Sequence, residues 1–161
     1  MRHRLVLVPA LVSAVALAGA CGGNAGPGPA DDARAARAVA QRVIDGLMLG
    51  RDPDAACAAM TPDAQANAAA RTPRLALGAE PPTCELGMIF TGSLLTAAFD
   101  DVRATAGAVT VTGDDAVATI DYAGAIRDQL DVPSARVRLR RVDGRWLVTS
   151  TDAVGRDAAT G

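Results

Sequence analysis

The chain has 161 residues, half of them hydrophobic, with 16 basic and 18 acidic side chains and a formal charge of −2. No basic stripe with interleaved aromatic residues occurs, which argues against nucleic-acid binding. The single histidine is His3 and there is no lysine, so the rest of the chain lacks the residues for a Ser-His-Asp or Cys-His site, histidine-bound zinc or a lysine Schiff base. Carboxylates, hydroxyls and Tyr122 remain as acid–base groups.

The first 20 residues have the pattern of a secretory signal peptide. Arg2, His3 and Arg4 form a basic start, residues 5–18 are mainly apolar, and small residues follow. The apolar run is short for a permanent membrane helix. We therefore expect export and removal of residues 1–20. The exported part keeps 14 of the 16 arginines and all 18 acidic residues, a charge of −4, which does not support attachment through a polybasic face.

Residues 17–21 read Leu-Ala-Gly-Ala-Cys and resemble the lipobox of bacterial lipoproteins. In that family a diacylglycerol is added to the cysteine, and the signal is cut just before it. Gly19 and Ala20 match the pattern, whereas Ala18 stands where the family prefers leucine. The resemblance implies a lipidated Cys21, with acyl chains of the palmitate type, at the outer face of the cytoplasmic membrane. An ordinary signal-peptidase cut after Ala20, which would release a soluble protein, is the alternative.

Residues 21–30 consist of the cysteine followed by Gly, Pro, Ala and one Asn. Such a segment has no large side chain to bury and is typical of a flexible tether. The 141 residues after the signal are enough for one domain with one core. We expect residues 31–151 to form this domain and residues 152–161 to be a disordered tail.

Helical patterns fill the first part of this domain. Residues 31–49 have apolar side chains at spacings of three and four, with Asp31 or Asp32 as N-terminal cap and Gly50 as stop. The remaining start signals are Asp52-Pro53, Thr61-Pro62 and Thr83. They predict helices to about Met60, to about Arg71 and over 84–98, with an intervening loop at 72–82. In the last of these helices Gly87 and Gly92 are unfavourable, and the expected apolar face is Met88, Leu94, Leu95 and Ala98.

The two remaining cysteines, Cys57 and Cys84, lie in the second and fourth predicted helices. If Cys21 carries a lipid, they are left as a pair, and such a pair is usually oxidised outside the cytoplasm. We predict a disulfide between them. Two unrelated buried thiols are the alternative.

From Val102 the apolar pattern changes to alternation, which is typical of strands. Strands are predicted over 109–112, 116–122, 135–142 and 145–150, with a helical turn near 126–130. The Asp143-Gly144 pair is a strong hairpin signal, and it places Arg141 opposite Trp146. Val137, Leu139, Trp146 and Val148 then share the core face. Helices followed by an antiparallel meander predict an α+β domain, with the helices across one face of a curved antiparallel sheet.

Three patterns together indicate a family. They are the run from Leu49 through Cys57 to Pro62, the second cysteine at the start of a later helix, and the two strand pairs that close with Gly144-Arg145-Trp146. Over residues 33–151 the chain resembles small actinobacterial lipoproteins with an NTF2-like (SnoaL-like, cystatin-like) domain. The resemblance implies a cone of curved sheet wrapped on helices with a possible pocket. It does not fix a function, because NTF2-like domains include enzymes, ligand binders and interaction modules.

An enzyme of isomerase or hydrolase type would need acid–base groups that converge. Asp121 and Tyr122 match residue types used by ketosteroid-isomerase-like members of the family. Because they are adjacent on a strand, they face opposite ways and do not line one pocket. We therefore predict no catalytic activity, no cofactor and no metal site.

Two binding functions remain. A small ligand or lipid could occupy the cone, and Tyr122, Arg141 and Trp146 are candidate contacts. Arg141 could hold an anion or simply stack on the Trp146 ring, and the neighbouring stripe of Arg136, Arg138 and Arg140 is expected to be a solvated face. We rank first a non-catalytic interaction or scaffold domain of the cell envelope, anchored in the membrane near a protein partner.

Overall fold

The computed structural model describes residues 28–71, 82–124, 126–127 and 135–152, where four helices precede the strands and the helical residues 126–127, at the start of the predicted helical turn, lie between two strands. The strands form one antiparallel sheet in chain order, which is not closed into a barrel, and the helices pack on it. The predicted α+β class is therefore confirmed. The elements are α1 (Pro29–Leu49), α2 (Pro53–Ala58), α3 (Pro62–Ala69), α4 (Cys84–Ala98), β1 (Arg103–Thr112), β2 (Asp115–Ala123), β3 (Ala135–Val142) and β4 (Arg145–Asp152).

Several sequence predictions concern residues outside these ranges. They are the signal peptide, the lipidation site Cys21 with most of the predicted tether, nearly all of the predicted loop at 72–82, the end of the helical turn at 126–130 and the tail from residue 153. These predictions stand untested by the fold.

Helix α1 begins at Pro29, two residues before the predicted start. Gly28 is the N-cap residue and no side chain caps the helix, so the expected cap by Asp31 or Asp32 is wrong. The reason is that proline has no N–H to satisfy and its fixed φ suits the first helical position. Asp31 and Asp32 lie instead in the first turn, where the helix dipole favours negative charge. The predicted stop is correct, since Gly50 adopts φ 61°.

Helix α2 ends earlier than predicted because the backbone after it pairs with the sheet, and α3 ends at Ala69, before the predicted Arg71. The N–H of Val148 donates to the carbonyl of Ala59 at 2.9 Å, and the N–H of Thr61 donates to the carbonyl of Val148 at 2.9 Å. Met60 thereby forms a parallel bridge with Val148 on the free edge of β4. Thr61 then caps α3 as predicted, accepting from the N–H of Ala64.

Cys57 and Cys84 form the predicted disulfide, which joins α2 to the start of α4 with a Cα–Cα distance of 6.1 Å. The two cysteines are 27 residues apart in sequence. In the chain-entropy model, closing a loop of this length stabilises a domain by roughly 3 to 4 kcal/mol.

The glycines of α4 have a packing role that the sequence pattern did not show. A Cβ at Gly87 would collide with the backbone carbonyl of Ala68 on α3, and a Cβ at Gly92 would collide with the backbone of Gly50. Both glycines are buried. Their missing side chains therefore let the α4 backbone lie directly against α3 and the end of α1, which compensates for their low helix propensity.

The sheet has the predicted β3–β4 register, with Arg141 opposite Trp146. Strand β1 is longer than predicted and contains an irregularity between Ala106 and Val109. Gln41 of α1 satisfies the backbone there. It accepts from the N–H of Ala106 at 2.7 Å and donates to the carbonyl of Ala104 at 3.3 Å. The Ala-Gly-Ala sequence at this point lacks the alternating pattern of a strand, which explains why the pattern predicted only its second half.

The core lies between α1 and the inner face of the sheet, whose other face is lined by residues such as the exposed Arg136, Arg138 and Arg140. Small residues on α1 allow the helix to lie close to the strands. The most deeply buried side chains of this layer are Ala36, Ala40, Val43, Ile44, Ala118, Val137, Leu139 and Val148.

Candidate functional site

Arg141 joins the start of α1 to the sheet. Its guanidinium lies 2.6 Å from a carboxylate oxygen of Asp32, and the two side chains are only 23% and 17% exposed. The same guanidinium stacks over the Trp146 ring at 4.7 Å from the centroid. Its Nε makes no hydrogen bond and is 3.8 Å from a carboxylate oxygen of Asp114. Arg141 is therefore occupied by the protein's own acid and aromatic groups.

The ring contact of Arg141 fits the structural role considered for it, whereas anion binding by this arginine stays a prediction. Its pair with the partly buried carboxylate of Asp32 leaves fewer N–H groups for an external anion. Trp146 is 7% exposed, so most of its ring contacts the protein. The stacked pair, together with Asp32, therefore links helix α1 to the β3–β4 hairpin.

Tyr122 does not belong to the same site. The N–H of Arg141 donates to the carbonyl of Asp114 at 2.7 Å, and Tyr122 lies eight residues further along the chain, about 26 Å at roughly 3.3 Å per strand residue. Asp121 is exposed and Tyr122 is half-buried, opposite Ala104 in the sheet. The strand alternation therefore separates the Asp and Tyr as predicted. Burial raises the pKa of the Tyr122 phenol to about 12.

A first cavity, of about 300 Å³, opens between α3 and the end of β4. Arg71 closes part of its rim by donating to the hydroxyl of Thr151 at 3.2 Å. Among the described residues, this arginine is the only ionisable one that lines the cavity. It is lined by Leu47, Met60, Ala64, Asn67, Ala68, Arg71, Met88, Ser150 and Thr151.

A second cavity, of about 440 Å³, is a groove between α1, α2 and the β3–β4 hairpin. It contains two arginines, Arg42 and Arg145, and an edge of Trp146. Of the ligand contacts predicted from sequence, only Trp146 lines it. The two arginines were not singled out by the sequence, because they come from distant parts of the chain with no shared motif.

The fourth helix leaves apolar side chains in solvent. Leu86, Ile89 and Leu94 are 52%, 45% and 54% exposed. The predicted apolar face of α4 was therefore wrong at Leu94 and Ala98, both of which are exposed. The glycine contacts turn the other side of the helix inward, and the buried α4 residues are Cys84, Gly87, Met88 and Gly92.

In comparisons with known proteins, no family model, curated protein or solved structure matches the chain. Among the described residues, no cluster of His, Cys, Asp and Glu is suited to hold a metal ion. No helix in those ranges combines the length and apolar character needed to cross a bilayer.

We predict that Asp32→Ala lowers the free energy of unfolding by roughly 1 to 3 kcal/mol, because it leaves the partly buried Arg141 without its carboxylate. Asp31→Ala is the matched control. It removes an acid from the same helical turn, but its pair with Arg34 is exposed and contributes little. Urea unfolding of both variants measures the difference. Equal losses would contradict a joint at Asp32–Arg141.

We predict that Tyr122 titrates near pH 12 in the folded protein and near 10 after unfolding, since burial disfavours the phenolate. Because the folded pKa is the higher one, the contribution of the Tyr122 phenol to the free energy of unfolding is complete below pH 10. This contribution is lost as the pH rises from 10 to about 12. Tyrosinate absorption measures it without ambiguity, since the chain has one tyrosine. A native midpoint near 10 would show that the phenol is solvated.

Proposed function

We propose that this protein is an exported, lipid-anchored and non-catalytic interaction domain of the cell envelope, with an NTF2-like fold. The signal-like residues 1–20 and the lipobox-like residues 17–21 support export and an anchor on Cys21. Helices followed by a four-stranded antiparallel sheet are compatible with the NTF2-like assignment. The observation that carries the interaction role is the apolar surface of α4.

We call Leu86, Ile89, Phe90 and Leu94 the α4 apolar face. Three of them are about half exposed, Phe90 is half-buried, and their spacing puts them on one side of the helix. Single exposed apolar residues are ordinary, but a contiguous group marks a site of interaction. The face is therefore the best candidate for a docking surface in the described chain.

The charge of α4 indicates what docks there. Glu85 is the only charged residue of this 15-residue helix. Helices that lie on a membrane surface carry Lys and Arg on their polar side, and α4 carries neither. A protein partner that presents an uncharged apolar ridge, such as one face of an amphipathic helix, matches the surface without leaving a charge buried.

The titratable groups support a role without catalysis. Beyond residue 20 there is neither histidine nor lysine. Tyr122 and the Arg141 joint lie up to about 26 Å apart along the strand, and among the described residues neither cavity is lined by a carboxylate or a tyrosine. General acid–base catalysis requires such groups within hydrogen-bond reach of one substrate.

The anchor predicts a change of compartment. Cys21→Ala should move the protein from the membrane fraction to the soluble fraction, because the acyl chains would be lost. The double variant Cys57→Ala/Cys84→Ala is the control, since it removes cysteines but leaves the lipobox. Cell fractionation with immunodetection measures both. Persistent membrane association of the Cys21 variant would rule out the lipid anchor.

The α4 apolar face predicts position-specific crosslinking. A photoreactive amino acid at Leu94 should give a discrete protein adduct in intact cells, whereas the same group at Thr110, an exposed residue of β1, should not. Adding Ile89→Asp should abolish the Leu94 adduct, because a buried aspartate in the contact is costly. Equal adducts from both positions, or none from Leu94, would argue against this docking surface.

A further inference from the structure

The groove between α1, α2 and the β3–β4 hairpin combines apolar side chains with two arginines. Helix α1 forms one wall, α2 forms the second, and the start of β4 forms the third. Two guanidinium groups stand among apolar side chains, and no acidic residue of the described ranges lines the groove. Its lining is Ala35, Val39, Arg42, Ala55, Ala58, Ala59, Gly144, Arg145, Trp146 and Leu147.

The two arginines of the groove differ from four other arginines of the described ranges, which have carboxylate partners. Arg34, Arg103, Arg140 and Arg141 each pair with an aspartate, whereas neither Arg42 nor Arg145 has an ion pair among the described residues. Both are exposed. The groove is therefore a local excess of positive charge on a domain whose overall charge is negative.

The rest of the groove is apolar and shallow. Alanines from both helices, together with Val39, Leu147 and the edge of Trp146, form its surface. Its volume of about 440 Å³ lies within the range of small-molecule sites, roughly 300–1,000 Å³. A small polar anion would leave this apolar surface uncovered, and a neutral lipid would leave both guanidinium groups unused.

We propose that this groove binds a single-chain anionic amphiphile, specifically a monomeric long-chain carboxylate. The carboxylate accepts hydrogen bonds from Arg42 and Arg145, whose planar forks fit its two oxygens. The alkyl chain covers the alanines and Trp146, which removes apolar surface from water. The site lies apart from the α4 apolar face and shares Trp146 with the Asp32–Arg141 joint.

The position of the groove connects it to the proposed anchor. Ala35 follows the N-cap Gly28 by seven residues, about 10 Å along α1 at 1.5 Å per residue. The chain between Cys21 and Gly28 spans at most about 24 Å at roughly 3.4 Å per residue. With Cys21 in the membrane, the groove is near a source of amphiphiles. This supply rests on the proposed function, whereas binding itself does not.

The chain's only tryptophan provides the measurement, because Trp146 is part of the groove wall. The titration uses residues 21–161 with Cys21→Ser. This form lacks the proposed anchor and keeps every described residue, including the buried core. Dodecanoate is titrated below its micelle-forming concentration. We expect a saturable change of Trp146 fluorescence, and no comparable change with acetate or dodecanol.

Two double variants distinguish binding in the groove from a general effect of positive charge. Arg42→Gln/Arg145→Gln should weaken dodecanoate binding at least roughly tenfold, because charge-assisted hydrogen bonds are lost. Arg37→Gln/Arg136→Gln removes the same charge from exposed residues outside the groove and should bind as the parent does. Ala58→Phe, at an exposed alanine of the wall, should block the chain and weaken binding. Circular dichroism checks that each variant is folded.

Several outcomes would overturn the site. They are no saturable response of the parent to dodecanoate, equal losses in both arginine pairs, or acetate binding as tightly as dodecanoate. A response to dodecyl phosphate without one to dodecanoate would refute the carboxylate class. A response only to phosphatidylglycerol vesicles would mean that the groove recognises a membrane surface. Membrane fractionation of the Cys21→Ala variant is independent of all these results, so a failed groove and a failed anchor are distinguishable.

Discussion

Asp32 and Arg141 form an ion pair that joins the start of helix α1 to the sheet. The ion pair is mostly shielded from water, and the guanidinium rests on Trp146, so charge, hydrogen bonding and ring stacking act on one side chain. Because α1 contributes much of the core, its placement sets that of the other helices. The same contact holds Trp146 beside α1 and α2, where it becomes part of the groove. A structural joint thereby shapes the proposed binding site.

At the C-terminal end of α1, steric contacts determine how closely α4 packs. Gly87 and Gly92 let the backbone of α4 lie against α3 and the end of α1, and the Cys57–Cys84 disulfide fixes the start of α4 to α2. With its glycine side turned inward, α4 leaves Leu86, Ile89 and Leu94 exposed among the described residues. Close packing on one side of the helix therefore produces the exposed surface on the other, and the proposed partner would bind that surface.

The two proposed surfaces differ in chemistry. The α4 apolar face is uncharged apart from Glu85 at the helix start and fits an apolar ridge of a protein. The groove combines an apolar wall with Arg42 and Arg145 and fits an amphiphile with an anionic head. A lipid on Cys21 would hold both close to the membrane. One small domain could thus bind a protein partner on α4 and a membrane-derived carboxylate between its helices and hairpin.

The sequence alone determined the order of elements, the α+β class, the β3–β4 register and the Cys57–Cys84 pair, because periodicity, turn residues and cysteine number are local or countable properties. Tertiary structure decided the rest. The sequence could not orient α4, since the inward side is set by backbone contacts that only its glycines permit. It could not bring Arg42 and Arg145 into one groove, nor pair Asp32 with Arg141, because these residues are far apart in the chain and meet only when α1 packs on the sheet.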